Sequence, residues 1–530
     1  LPMPSPALPP EAPLPDRTAR CLILAAGRGS RLHGEGDCKP LLRVGGLPLI
    51  ERTIMSAHRA GLTDFYVVTG HEAPRLEAFL AELAQRRGLA ITPLRCPDWS
   101  MGNAASLLTA REVLDTPCAL LMADHLFDEA ILTDLVATPL GDAGVRLAVD
   151  FQRDDHPRID AAEATKVHTA GDKIVAIGKQ LEHYEGYDSG IFLCAPAIFA
   201  AAEASVASGD GSLSHAISAL AADGRARTHD LGTHVWLDVD TPADRKQAEI
   251  VLRDQLSKPA DGWVARRLNR PFSRRVFTPL LLRVLPSISP NQVSLLSFAV
   301  ALGAALAFAL RQPILGAVAI QVASVLDGSD GEIARLKKLE SPFGGMLDAV
   351  LDRYSDSFVL AGMAYFAWDA AANARLFGEA LPALIAVTAI LAISGTLMVS
   401  YTSAKAASDL GYRYRGRWIA AGRGRDWRIF LLFVAGLLAV VHPVSVVVAL
   451  GLLAVVTNAI VVRRLQLSAR RARRLAPVSP ATTQAVIFDL DGTLADTMPL
   501  LTGLAVDLFT RHYGLDAADA RSRYYATRGL

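Results

Sequence analysis

The sequence is poor in cysteine. Its 530 residues hold only Cys21, Cys38, Cys96, Cys118 and Cys194, all in the first half and none in a CxxC pair. This excludes a disulfide-stapled secreted scaffold and fits a reduced cytosolic compartment. Nor does one sign of charge dominate: 54 Lys+Arg face 53 Asp+Glu, a formal charge of +1. Nothing in that balance points to nucleic acid, and none is expected as a partner. The net figure conceals segregation, because arginines crowd the flanks of the apolar middle. The first stretch is not expected to be a signal peptide. The opening LPMPSPALPPEAPLP has neither a basic start nor an apolar run, and it reads as a proline-rich disordered lead-in over 1–19. A start at Leu1 instead of methionine suggests a fragment or a processed chain.

What is present is a mixture. Hydrophobic residues make up 51% and charged residues 20%, with mean hydropathy +0.28. Such a composition implies soluble domains joined to a membrane domain, and the length allows two to four domains. Over 20–250, β-rich runs (CLILAAG, FYVVTG, CALLMAD, DKIVAIG, SGIFLC, HVWLDVD) alternate with helix-like stretches, which predicts an α/β layer with a mostly parallel sheet. A basic segment follows over 251–291, in which VARRLNRPFSRRVF reads as an amphipathic helix at a membrane surface.

Six apolar stretches then occupy 292–466, near 293–310, 313–326, 344–366, 380–401, 429–441 and 443–462. Arginine and lysine are dense before the first, after the second and fourth, and after the sixth. The positive-inside rule therefore predicts an integral protein of the cell membrane with six spans and with both termini and the active sites cytoplasmic. After a linker over 467–484, QAVIFDLDGTLADT begins another α/β unit over 485–530.

The charges inside the apolar region need a reason, since ionisable groups at membrane depth are costly unless they line a polar cavity. Asp327 and Asp330 are three apart, and Asp348 and Asp352 four apart, so each pair shares a helical face. Two such faces meeting would form a site of hard oxygen ligands. The segment fits D-x2-D-G-x2-A-R-x8-G-x3-D-x3-D without a gap, which resembles the signature of CDP-alcohol phosphotransferases, membrane enzymes that displace CMP from a CDP-alcohol. The resemblance implies that Asp327, Asp330 and Asp348 bind divalent metal, and that Asp352 is both ligand and general base. It also places Gly331, Ala334 and Arg335 against the nucleotide, and Asn291, Lys337, Arg423 and Arg428 against substrate phosphates. The metal implied is Mg2+, with Mn2+ an alternative at this site, and a homodimer through the membrane domain is the family's habit.

In the amino-terminal region, LILAAGRGSRL followed by Lys39 and Pro40 offers a glycine loop after a strand. Gly27 and Gly29 permit close backbone approach to phosphate. Two cations beside the loop, Arg31 and Lys39, suit a triphosphate better than a dinucleotide. This resembles the nucleotidyltransferase fingerprint, in which Leu24, Ala25, Ala26, Gly27 and Gly29 wrap the nucleotide and Arg31 and Lys39 act in catalysis. Asp124 ends one strand and Asp238 and Asp240 another; carboxylates meeting there would hold Mg2+, with either Asp238 or Asp240 as the direct ligand.

The stretch Glu163 to Cys194 resembles the acceptor half of inositol-1-phosphate cytidylyltransferases. That likeness makes Glu163, Lys166, Lys179 and Asp188 the contacts to sugar-like hydroxyls and phosphate. Together the two regions resemble the bifunctional inositol-phosphate cytidylyltransferase and di-myo-inositol-phosphate-phosphate synthase family. CTP, inositol 1-phosphate, a CDP-alcohol and the lipid bilayer are then the expected partners. FDLDGTLADT resembles the first motif of haloacid-dehalogenase-like phosphatases, with Asp489 as nucleophile and Asp491 as acid/base, but too little chain follows for an active copy. Two alternatives share these motifs: a choline, ethanolamine or glycerol version making phospholipid headgroups, and a membrane scaffold that binds nucleotide without turnover.

Overall fold

The computed structural model describes residues 18–29, 38–151, 164–256, 262–374, 380–412, 414 and 425–475, with 506, 510 and 516. Asp489 and Asp491, and the phosphatase-like start they belong to, lie outside the described residues. The chain divides into two compact units, one formed by residues 1–375 with 424–446, the other by 376–423 with 447–530.

Among the described residues the first unit begins with thirteen strands: β1 (Arg20–Ala25), β2 (Arg43–Val44), β3 (Leu47–Pro48), β4 (Asp64–Thr69), β5 (Ala90–Arg95), β6 (Cys118–Met122), β7 (His125–Phe127), β8 (Val145–Asp150), β9 (Lys166–Ala170), β10 (Lys173–Gly178), β11 (Gly186–Cys194), β12 (Ala226–Asp230) and β13 (Trp236–Asp238). Between them run α1 (Leu49–Arg59), α2 (Ala73–Arg87), α3 (Asn103–Leu108), α4 (Glu129–Ala137), α5 (Ala197–Ala207) and α6 (Leu213–Ala222), and α7 (Pro242–Asp254) follows. Nine strands form one sheet in the order β5-β4-β1-β6-β11-β8-β12-β10-β9. Alternation along β1 shows why the sheet is covered on both faces. Leu22 and Leu24 point into a core with α3, α5 and α6, while Cys21 and Ile23 point into a second core with α1, α2 and α4. Each such buried leucine or isoleucine side chain contributes about 1.5–3 kcal/mol.

The sheet is mixed, not mostly parallel. β5, β4, β1 and β6 run parallel, as do β8 and β12, but β11 is antiparallel to both β6 and β8, and β10 is antiparallel to β9 and β12. The reason is local. β9, β10 and β11 follow one another without an intervening helix, and Gly171 at φ +64° turns the first pair. Short turns join antiparallel neighbours, whereas parallel ones need a crossover. The predicted HVWLDVD strand is also displaced, since β13 pairs with β7 in a separate two-stranded ribbon, with Asp238 opposite His125.

From Trp263 to Val284 the basic segment is helical, through wide turns at Ala265–Asn269 and Ser273–Phe277 that flank α8 (Arg270–Phe272) and lead to α9 (Thr278–Val284). Six helices follow among the described residues: α10 (Pro290–Ala309), α11 (Pro313–Leu336), α12 (Pro342–Ala374), α13 (Ala380–Leu410), α14 (Arg425–Leu438) and α15 (Val444–Leu475). Each covers one predicted apolar stretch. Three contain segments long and apolar enough to cross a membrane, Pro290–Ala309, Leu381–Leu410 and Val444–Ala472. In the first unit α10 packs on α11 and α12, and α11 on α14. Glycine makes the approach close: a Cβ on Gly362 would stand 2.8 Å from Ala305 Cα, and one on Gly436 would meet the Phe308 ring at 2.8 Å. In the second unit α13 and α15 are tied by Asn458 Nδ2 donating to Leu391 O at 2.9 Å, and by buried Arg464 bonded to Val399 O.

The sheet domain grips the end of α11, the helix that carries Asp327 and Asp330. Buried Arg52 donates from Nη2 to Val44 O at 2.7 Å and to Leu336 O at 2.9 Å. Arg87 reaches the carbonyls of Lys337 and Lys338 while paired at 2.7 Å to buried Glu51. Lys338 returns to Ser56 Oγ at 2.8 Å and to Glu129. Carbonyls at a helix C-terminus have no partner within the helix, and guanidinium donors satisfy them and favour its negative end.

Candidate active sites

At the first site, the loop after β1 (Leu24, Ala25, Ala26, Gly27, Gly29) lines a cavity of about 270 Å³ together with Lys39, Asn103, Ser106, Asp124 and Asp240. Gly29 takes φ +62°, and a Cβ there would stand 2.9 Å from Lys39 Cδ, so the loop lies directly on the lysine stem. Asp240 is set by the start of α7. Thr241 and Asp244 form a capping box there, and the Asp240 amide donates to Asp244 Oδ2 at 3.2 Å.

Lys39 Nζ sits among the carboxylates, 2.5 Å from Asp124 Oδ2, bonded to Asp240 Oδ1, and 3.8 Å from Asp238 Oδ1. Burial works against its charge, yet the three aspartates raise its pKa above the usual lysine value. Burial also opposes ionisation of Asp124, but Lys39 and His125 hold that carboxyl below its ordinary value. Asp238 is pushed the other way, to about 7, by burial and by the charge of Asp124. His125 connects the group: Nε2 lies 3.7 Å from Asp124 and 3.7 Å from Asp238, and Nδ1 is held 2.7 Å from Ser189 O. Asp188 accepts from the Gly190 amide at 2.7 Å, and burial raises it to about 6.

Ligand atoms of Asp124, His125 and Asp238 lie within 4.8 Å of one another, and Asp238 Oδ1 is buried without a hydrogen-bond partner. Hard oxygens with an unsatisfied lone pair fit a divalent cation. Lys166 lies elsewhere, its Nζ 5.3 Å over the Tyr184 ring, and Lys179 is exposed after β10. Neither lines the loop cavity. Arg31 and Glu163 fall outside the described residues. His125, Asn103 and Ser106 were not singled out from sequence. A histidine directly after Asp124 was the available signal, but its relation to Asp238 exists only through the β7–β13 pairing.

At the second site α11 and α12 bring three of the four signature carboxylates together: atoms of Asp327, Asp348 and Asp352 lie within 4.8 Å. Asp330 accepts from Ser294 Oγ of α10 at 2.5 Å, one turn after the Ser289–Gln292 capping box that opens that helix. The arrangement fits a divalent cation in donor chemistry, all oxygen and converging from two helices. At its centre stands a residue not singled out from sequence, although it lies within the GRGRDWR segment over 422–428 that resembles a substrate-lining stretch of the family. Arg425 Nη1 lies 2.5 Å from Asp352 Oδ1 and 3.1 Å from Asp327 Oδ2, and its Nε is 2.7 Å from Asp356 Oδ1. Arg428 is buried nearby, 3.9 Å from Asp356, with Nε and Nη1 lacking hydrogen-bond partners.

Other residues of these segments make contacts of their own. Glu332 is fully buried and accepts from Ser273 Oγ at 2.6 Å and Thr278 Oγ1 at 2.7 Å, with Arg270 at 3.5 Å; it anchors the basic segment to α11. Lys337 donates to Pro286 O and Ile288 O, both at 2.7 Å. Arg335 lines a cavity of about 390 Å³ with Arg59, Glu129 and Lys338. Gly331 and Ala334 are half-buried along α11, and Asn291 lies beside Gly344, where a Cβ would meet its Oδ1 at 3.2 Å. Arg423 is outside the described residues.

Two family models match the chain, a MobA-like NTP transferase domain over residues 21–285 and a CDP-alcohol phosphatidyltransferase over residues 287–463. The sequence is 36% identical over 460 residues to a bifunctional IPC transferase and DIPP synthase of Rubrobacter xylanophilus, covering 85% of this chain and 96% of that one. It is 32% identical over 430 residues to the protein of that name from Archaeoglobus fulgidus, covering 80% and 79%. Among solved structures, the inositol-1-phosphate CTP transferase from T. maritima superposes with a TM-score of 0.40 at 25% identity, over 44% of this chain and 95% of that one.

Proposed function

The chain belongs to the family of bifunctional IPC transferases and DIPP synthases, and on that premise we propose that it is a membrane enzyme with two consecutive activities. The first transfers CMP from CTP to inositol 1-phosphate. The second transfers the inositol phosphate group of the resulting CDP-inositol to a second inositol phosphate. The observation that carries this reading is the presence in one compact unit of two separate acidic clusters, Asp124–Asp238–Asp240 beside a glycine loop and Asp327–Asp348–Asp352 between two apolar helices.

In the first reaction a phosphate oxygen of inositol 1-phosphate attacks the α-phosphorus of CTP and pyrophosphate leaves. The Leu24–Gly29 loop brings backbone to the triphosphate, and Lys39 supplies positive charge where the leaving group gains negative charge. Asp188 and Lys166 are the acceptor contacts. In the second reaction a hydroxyl of the acceptor attacks the inositol-bearing phosphorus, the bond to the CMP oxygen breaks, and CMP leaves. Asp352 receives the hydroxyl proton. Arg428, with two buried nitrogens without hydrogen-bond partners, is assigned to a phosphate oxygen of the acceptor.

Both families use divalent metal ions, and Mg2+ is the ion assigned here. Asp124 with Asp238 or Asp240 would hold it at the first site, and Asp327, Asp330, Asp348 and Asp352 at the second. When bound it neutralises phosphoryl charge. The α10–α15 helices are assigned as six spans, with both clusters on the cytoplasmic side by the arginine distribution. The test supplies purified protein with CTP, Mg2+ and either inositol 1-phosphate or phosphocholine. Pyrophosphate release with the first and not the second is expected; the reverse pattern overturns the assignment.

A further inference from the structure

A second cavity, like the one at Arg335, belongs to neither cluster. It measures about 450 Å³ and opens among the β2–β3 turn, α7, α9 and the end of α11. Its lining includes five arginines, Arg43, Arg245, Arg253, Arg274 and Arg283, and a single acid, Glu249. Arg245 lies 3.8 Å from Glu249, and Arg274 lies 3.8 Å from Glu332. The other three come from three different elements and have no carboxylate within ion-pair distance among the described residues; Arg43 donates only to Gly46 O, at 3.2 Å. Convergent guanidinium groups repel one another, and an anion is the ordinary way to relieve that repulsion.

The surroundings indicate where the anion comes from. Pro286 on the cavity wall stands four residues before Pro290, where the first apolar helix begins. Phe272, Val276, Leu280 and Val284 recur every four residues on the same basic segment, and they are 56%, 48%, 53% and 64% exposed. An apolar stripe beside arginines is the pattern of a segment lying in the headgroup layer, and basic pockets at that level take lipid phosphates. The apolar wall of Leu256, Leu282 and Leu336 offers contact to the carbon skeleton next to such a phosphate.

We propose that this cavity is a phosphate-binding site, and that the phosphate it holds is that of an anionic lipid at the bilayer surface. The site docks the juxtamembrane segment, the sheet domain and the end of α11 onto the membrane together. It is separate from both reactions.

The full chain is reconstituted in nanodiscs of phosphatidylcholine with or without phosphatidylglycerol, and the lipids it retains are counted by native mass spectrometry. Preferential retention of phosphatidylglycerol is expected, and R43A/R253A/R283A should lower its apparent affinity on the order of 100-fold while pyrophosphate release continues. Because Arg283 is exposed, R283E provides a second variant with little risk to folding and should also lose retention. Equal retention by wild type and R283E overturns the site. A second arm titrates inositol 1-phosphate and inorganic phosphate into phosphatidylcholine nanodiscs. A thermal shift with these soluble phosphates that vanishes in R283E, without phosphatidylglycerol preference, overturns the lipid assignment.

Discussion

Replacing Lys39 by methionine tests the first cluster most directly. The ammonium lies within 2.5 Å of Asp124, is bonded to Asp240 and is 3.8 Å from Asp238, and its residue is only 8% exposed. Methionine keeps most of the stem packed beneath Gly29 and removes only the charge. Three carboxylates are then left facing one another. Breaking a buried ion pair by deleting one partner costs about 3–5 kcal/mol. Here the lower end applies, because Asp238 is already held near a pKa of about 7 and takes up a proton at neutral pH. A loss of about 3 kcal/mol corresponds to roughly 6–12 °C in Tm for a domain of this size. Added Mg2+ can replace the missing charge, so it should raise the Tm of K39M by more than that of wild type. Differential scanning fluorimetry with and without Mg2+ reads this, and pyrophosphate release should fall at least about 100-fold, since a charge aimed at the transition state is gone. CMP release from supplied CDP-inositol should persist. An unchanged Tm, or an equal Mg2+ response in both proteins, would refute the reasoning.

Further outcomes are expected. Asp352→Asn should reduce CMP release from CDP-inositol by about 10²–10⁴-fold and leave CDP-inositol synthesis intact, and equal loss of both activities contradicts two separate sites. Glu332→Ala should destabilise by about 3 kcal/mol, because it leaves Arg270 and Arg274 facing a buried void; Glu332→Gln, which can still accept from Ser273 and Thr278, should cost less, and the two are compared by thermal melts in detergent. Cys118, pushed by burial to about 12, and Cys21 and Cys194, raised by burial, should not react with a thiol reagent at pH 8 until the protein unfolds. Labelling in the native state counts against the two-layered core.

Much of the α/β architecture was legible because strand and helix periodicities are local. The β1 alternation and the six apolar stretches each translate into an element. The reversal of β11 was not legible, since a hydrophobic run carries no mark of direction and only its neighbours reveal it. Glu332, at an unspecified position of the signature, was not singled out from sequence, and only tertiary structure sets it against Ser273, Thr278 and Arg270.

The spacing of Asp327, Asp330, Asp348 and Asp352 was enough, through the helical repeat, to put each pair on one face of a helix. The loop after β1 was likewise recognisable from its glycines and from Lys39 beyond them. Which cation meets each cluster was decided by tertiary structure alone. Lys39 reaches Asp124 and Asp240 across 85 and 201 residues, and Arg425 enters the α11–α12 site from α14, reaching Asp356 across 69 residues. Helical and strand periods act over a few residues, so they can align like charges on one element. The opposite charge that makes such an alignment tolerable comes from another element, and long-range packing brings it there.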